Sequence, residues 1–144
     1  MDKQQTIEYI KSRVLENPFC QIMKMDVEEV SRGHLVVSMP IEKDCHTNIF
    51  GYVHGGAYSG LADTAAGVCC FTEGEQVVTV DANYSFIRNV HAGSKVYAKA
   101  EILQHGHKLM RTHCAIRDEC GHLLMDGVLT FMIIAHVEGM PEDW

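Results

Sequence analysis

Asn48 to Phe71 reads N-I-F-G-Y-V-H-G-G-A-Y-S-G-L-A-D-T-A-A-G-V-C-C-F. Two glycines follow a histidine. A helix-length run then carries one acid, Asp63, among small and apolar residues. With Gly55 to Thr72 wound as a helix, Gly56, Gly60, Asp63 and Gly67 fall on one stripe. Glycine inside a helix costs about 1 kcal/mol against alanine, so such a stripe belongs where something approaches the backbone closely. Tyr58, Leu61, Ala65, Val68 and Cys69 take the other side. A helix that is small or apolar nearly all round is buried. This one is too short and too broken by glycine to span a bilayer. A lone ionisable group on the close-approach stripe of a buried helix is a candidate site. The competing reading is a satisfied core carboxylate, or a cap on a neighbouring segment.

The 144 residues suit one domain, 1–144, with an N-terminal helical segment over 1–24 and a core over 25–137. Hydrophobic residues make up 47% and charged residues 22%, enough apolar side chain for an ordinary core. The net charge of −7 argues against a general nucleic-acid or membrane-surface binder. None of the six cysteines forms a C-x-x-C pair, and Met1 to Leu15 is too polar for a signal peptide. The expectation is a reduced, cytoplasmic protein.

Ile7, Ile10, Val14 and Leu15 recur at helical spacing, so Lys3 to Glu16 reads as an amphipathic helix ended by Asn17-Pro18. Asp26 to Pro40 reads as a hairpin turning at Ser31-Arg32-Gly33, and Asp44 to Gly51 as a polar loop. Gly74 stops the central helix. Gln76 to Arg88 alternates, with Thr79, Asp81, Asn83 and Ser85 on one face and Val78, Val80, Ala82, Tyr84 and Phe86 on the other. Lys95 to Leu103, Lys108 to Arg117 and Leu123 to Val137 follow as strands. Short glycine-marked links make these four strands antiparallel neighbours, a meander. One antiparallel sheet wrapped around one long buried helix, with a helix at the N-terminus, satisfies the pattern: an α+β fold.

Asn48, His54-Gly55-Gly56, Asp63-Thr64 and Gly67, followed by this strand pattern, resemble the hotdog-fold acyl-coenzyme A thioesterases of the phenylacetate-degradation and 4-hydroxybenzoyl type. The resemblance runs from about Asp26 to Val137 and includes F-I-R-N-V-H-A-G and Q-H-G-H-K-L. Asn89 departs from it, since many members carry proline there. The resemblance implies hydrolysis of an acyl- or aryl-acetyl-coenzyme A to the free acid and coenzyme A. It implies no cofactor, coenzyme A being part of the substrate. The Gly55 N–H would face the developing oxyanion at the start of the central helix, with Asn48 and His54 polarising the same carbonyl. Asp63 would attack or act as general base. Gly56, Thr64 and Thr79 would line the substrate site. Other hotdog activities stay open: an acyl-thioester hydratase or dehydratase, or a non-catalytic acyl-coenzyme A sensor.

A helix start is suited to an oxyanion, because its free N–H groups and positive dipole end favour negative charge. Asp63, however, stands eight residues past Gly55, about 12 Å along a helix axis. One chain cannot bring both to one carbonyl. Two central helices running antiparallel can, so this mechanism calls for a homodimer with sites at its interface. Similar proteins often pair further into tetramers. Arg88, Lys95, His107 and Lys108 are candidates for the coenzyme A phosphates, although charges at strand ends are more often plain surface. His105, His107 and His113 raise a metal site, but no further ligands accompany them, and no metal is expected.

Overall fold

The computed structural model describes residues 1–144. Helix α1 (Lys3–Leu15) starts in a capping box between Asp2 and Gln5. Helix α2 (Pro18–Met23) starts at Asn17, whose side chain accepts from the Phe19 N–H, with Pro18 in the first turn. Strands β1 (Asp26–Ser31) and β2 (His34–Pro40) form the expected hairpin, turning at Gly33 with φ +72°. A short helix α3 (Lys43–His46) interrupts the expected polar loop. Helix α4 (Gly55–Phe71) is the central helix, and four strands follow: β3 (Glu75–Phe86), β4 (Lys95–His105), β5 (Leu109–Asp118) and β6 (Leu123–His136).

The six strands make one antiparallel sheet in the order β1-β2-β4-β5-β6-β3. It wraps α4, whose Leu61, Ala62, Ala65, Ala66 and Cys69 are fully buried against residues such as Val37, Ala98, Ile116 and Leu129. This is the hotdog arrangement. The buried thiols are packing groups: burial raises the Cys69 pKa and pushes Cys70 and Cys114 up to about 12, which keeps them protonated.

Two expectations about the sheet are corrected. The four C-terminal strands are not a simple meander. Strand β3 pairs with β6, from Glu75 opposite His136 to Phe86 opposite Met125, and ends at the sheet edge. The link Ile87 to Ser94 crosses to β4 instead of turning back. The Leu124 carbonyl accepts from the Ile87 and Arg88 N–H groups, and the Ile41 backbone exchanges bonds with Gly93 and Ser94. Strands lie about 4.8 Å apart, so a link of this length crosses two of them without strain.

The second correction concerns faces. The register between β3 and β6 shifts between Thr79 and Asp81. A bulge there breaks strict alternation. Val77, Thr79, Tyr84 and Phe86 all contact the helix side: Val77 and Tyr84 pack on the core, Thr79 bonds to Asp63, and the Phe86 ring lies against Gly55. Asp81 and Asn83 bond each other, so the polar face expected to carry Thr79 is split.

Candidate active site

The start of α4 is held by its histidine. His54 is the N-cap, and its Nδ1 accepts from the Gly56 N–H at 2.8 Å. An accepting Nδ1 places the ring proton of this tautomer on Nε2, which is then a donor. The Gly56 N–H is therefore spent on the cap rather than on substrate. The Gly55 N–H stands at the first helical position, outside the helix's own ladder. A groove of about 340 Å³ opens beside it, lined by Val53, Tyr58, Phe86, Ile87, Arg88 and Asn89. Arg88, expected among the substrate contacts, lines the same groove as Gly55.

Asn48 is placed differently. Its Oδ1 accepts from the N–H groups of Phe50 (2.9 Å) and Tyr52 (3.2 Å), closing a turn whose ends pair through Asn48 N to Tyr52 O at 2.8 Å. Its acceptor is a turn-former, and only its amide N–H₂ is left for a carbonyl.

Asp63 lies half-buried in the middle of α4, and its Oδ1 accepts from the Thr79 hydroxyl at 2.6 Å. The bulge in β3 turns that hydroxyl toward the helix. A second cavity of about 360 Å³ adjoins the pair, walled by Phe19, Phe71, Val77 and Phe131, with Thr64 on its lining. Thr64 Oγ1 also meets the Cys20 thiol at 3.9 Å. Burial, and then the Asp63 charge, push the Tyr84 phenol upward, so it stays protonated beside the acid.

Within one chain the Gly55 groove and the Asp63 cavity share no lining residue. His107 and Lys108 border a third groove with Gln104, Arg111 and Thr130, apart from both. Lys95 is committed to Glu28 at 3.0 Å and lies over the Tyr97 ring. His105 bridges Glu73 (2.7 Å) and Glu75 (3.0 Å) and lines one groove with His107 and His136, while His113 bonds Asp126 at 2.6 Å apart from them, so the candidate trio does not converge. A different trio, Asp118, Cys120 and His122, has ligand atoms within 4.8 Å of one another and could hold an ion. Its carboxylate already accepts the Cys120 and His122 N–H groups of the turn.

The glycine stripe is used, but by the chain itself. A Cβ on Gly60 would sit 2.7 Å from the Phe19 ring, and one on Gly67 would sit 3.4 Å from Phe131. The room expected for a neighbouring helix is filled at those two positions by aromatic rings. Sequence reasoning missed Phe19, because α2 was too short to read. It also missed Asn89, whose Oδ1 accepts from Val53 N at 2.8 Å and whose Nδ2 donates to Val53 O at 3.3 Å. That clamp fixes the strand leading into His54. The signal was the departure from proline, which has no side-chain amide to make it.

A family model described as the thioesterase superfamily matches residues 50–125. Human acyl-coenzyme A thioesterase 13 is 26% identical over 124 residues, covering 83% of this chain and 88% of that protein. Among solved structures, the E. coli PaaI protein of the phenylacetic acid degradation operon superposes with a TM-score of 0.85 at 22% identity, covering 92% of this chain and 96% of that one. A hypothetical thioesterase protein from Streptococcus pneumoniae, solved with coenzyme A, gives 0.76 at 18% identity, covering 94% and 99%. No helix here is long and apolar enough to cross a membrane.

Proposed function

The chain belongs to the thioesterase superfamily and is a thioester hydrolase; we propose that it cleaves an acyl- or aryl-acetyl-coenzyme A to the free acid and coenzyme A. The observation that carries this reading is the Asp63–Thr79 pair. A carboxylate oriented by a 2.6 Å hydrogen bond faces a cavity with aromatic and aliphatic walls, as an acyl group beside a base requires.

In this reading two chains pair through the outer edge of β3, where Val78, Val80, Phe86 and Ile87 are exposed. Antiparallel pairing sets Asp63 of one chain against the Gly55 end of the other. The thioester oxygen accepts from the Gly55 N–H, with the His54 Nε2–H and the Asn48 amide as further donors. These donors stabilise the negative charge that forms on that oxygen. Asp63 either takes the proton of a water attacking the carbonyl carbon, or attacks that carbon itself to form a mixed anhydride that water then hydrolyses. The C–S bond breaks, the thiolate of coenzyme A leaves and is protonated, and the acid is released. No cofactor enters. Arg88, in the Gly55 groove, pairs with a phosphate of coenzyme A. His107 and Lys108, in their separate groove, are not assigned to it. The buried thiols suit a reducing, cytoplasmic setting.

The test is thiol release from acetyl-, hexanoyl-, benzoyl- and phenylacetyl-coenzyme A by the wild type. Turnover of any of them by the wild type supports the reading and ranks the acyl groups. Tight binding without thiol release would replace the enzyme with a sensor.

A further inference from the structure

The two most exposed large apolar side chains of the molecule sit side by side. Ile49 is 93% and Phe50 76% exposed. They are not on a loose tail. The Asn48 side chain closes their turn, Thr47 bridges Val53 below it, and Tyr52 bridges His91 with their rings 5.3 Å apart. A rigid hairpin that holds two apolar side chains away from its own core is built to bury them elsewhere.

The hairpin runs directly into His54-Gly55. Phe50 stands five residues before Gly55, and the turn closed from Asn48 to Tyr52 holds it ahead of the helix start in the chain. Within its own chain that end of α4 is served by the groove of Phe86, Ile87 and Arg88. The cavity beside Asp63 is separate, is lined by Phe19, Phe71, Val77 and Phe131, and has no residue of its own chain's hairpin on its lining. If the Gly55 of one chain serves the Asp63 of another, the hairpin travels with Gly55 to that cavity.

The geometry points to Ile49 and Phe50 as acyl-selecting residues that act in trans, closing the partner chain's Asp63 cavity over the acyl group. This inference rests on the shared-site reading above. It also gives Asn48 its part, which is to hold the tip in place as well as to offer its amide. The occupant of the cavity is a hydrophobic acyl or aryl-acetyl chain, and the apolar tip forms its outer wall.

The experiment compares wild type with Ile49→Ser/Phe50→Ser and with the milder Phe50→Leu. kcat/KM is measured for acetyl-, hexanoyl- and phenylacetyl-coenzyme A, and sedimentation reports the assembly. The double variant loses about 10- to 100-fold on the two larger substrates, the scale of lost methylene contacts, and little on acetyl. Phe50→Leu re-ranks them while the assembly is unchanged. Mixing the double variant with Asp63→Asn chains then separates trans from cis. In trans, a mixed dimer contains one fully wild-type site, so the mixture regains wild-type selectivity. An equal loss on all three substrates, or a mixture that keeps the double variant's selectivity, overturns the inference. Calorimetry with a non-hydrolysable thioether analogue of phenylacetyl-coenzyme A reads the same pocket without turnover. A wild type that binds this analogue but releases no thiol refutes the hydrolysis reading alone. Equal affinities of wild type and double variant refute the tip.

Discussion

The sheet has two free edges, and they are built differently. Strand β1 is six residues long, D-V-E-E-V-S, with a register shift between Val27 and Glu29. Its two glutamates are tied to its own sheet: Glu28 accepts from the Ser38 hydroxyl at 2.6 Å and meets Lys95 at 3.0 Å, while Glu29 meets His34 at 3.0 Å. A short, irregular, charged strand discourages pairing with another chain. Strand β3 is twelve residues long and presents Val78, Val80 and Phe86 to solvent. A long apolar edge left open is an invitation to pair. The Asp63–Thr79 pair and the Gly55 groove both lie along β3, and neither lies along β1. The β1 edge is built against pairing, while in the proposed dimer the open β3 edge is where chemistry and assembly would coincide.

Two changes in β3 and one in the facing helix α4 test that contrast most strongly. Asp63→Asn keeps the shape and the Thr79 partner but removes the base. kcat should fall by about a hundredfold or more, with the melting temperature nearly unchanged. Undiminished thiol release would mean that the open edge carries some other chemistry. Val80→Lys, at a position 59% exposed, puts a charge on the edge itself. Sedimentation should show dissociation, and specific activity should drop as the protein is diluted. A variant that stays assembled and active at every concentration would break the link between this edge and the site. Thr79→Val removes the hydrogen bond to Asp63 at constant volume. About tenfold in kcat is expected, near 1.4 kcal/mol for a bond to a charged group, and Thr79→Ser should restore most of it. Equal kcat in the valine and serine variants would make Thr79 a packing residue.

Much of this was legible in the sequence, and the losses have physical causes. The central helix stood out because its residues are small or apolar nearly all round, and Asp63 because it is the one acid among them, although its role stayed open between a site and a satisfied core carboxylate. Strand existence was equally clear from alternation. Strand order was not, because a glycine-marked link crosses a sheet as easily as it reverses. The Asp63–Thr79 contact was hidden for a related reason. Alternation assigns faces only while the register holds, and the bulge after Thr79 shifts it by one residue. Asn48 and His54 were recognised as types, yet their acceptors proved to be committed to a turn and a cap. Such local bonds depend on backbone angles that spacing alone does not fix.

His54→Ala sharpens the comparison from the other side, because the imidazole caps α4 and is also proposed to donate to the thioester oxygen. Losing the cap should cost about 1 kcal/mol, a melting shift of about 3 °C. Loss of the Nε2–H donor should lower kcat as well. His54→Asn can cap without supplying that N–H at the same reach, so stability should return before activity does. Recovery of both together would make His54 a cap alone.

The smallest effect is expected at the protected edge. The Ser38 hydroxyl, and after it Lys95, hold the Glu28 carboxyl below its ordinary value of 4.5. A group whose folded pKa is depressed adds stability above its unfolded pKa and loses it as pH falls through the folded one. Glu28→Gln should therefore be slightly destabilised near pH 7. It should converge with the wild type as the pH falls through the depressed folded pKa of Glu28. Because Glu28 is partly exposed, solvent screening keeps the difference under about 1 kcal/mol. Assembly and turnover should be unaffected, since β1 borders neither the Gly55 groove nor the Asp63 cavity. A change in oligomeric state on neutralising Glu28 would show that the β1 edge is kept from pairing only by charge. The irregularity and shortness of β1 would then be insufficient protection, and the two edges would differ in degree rather than in kind.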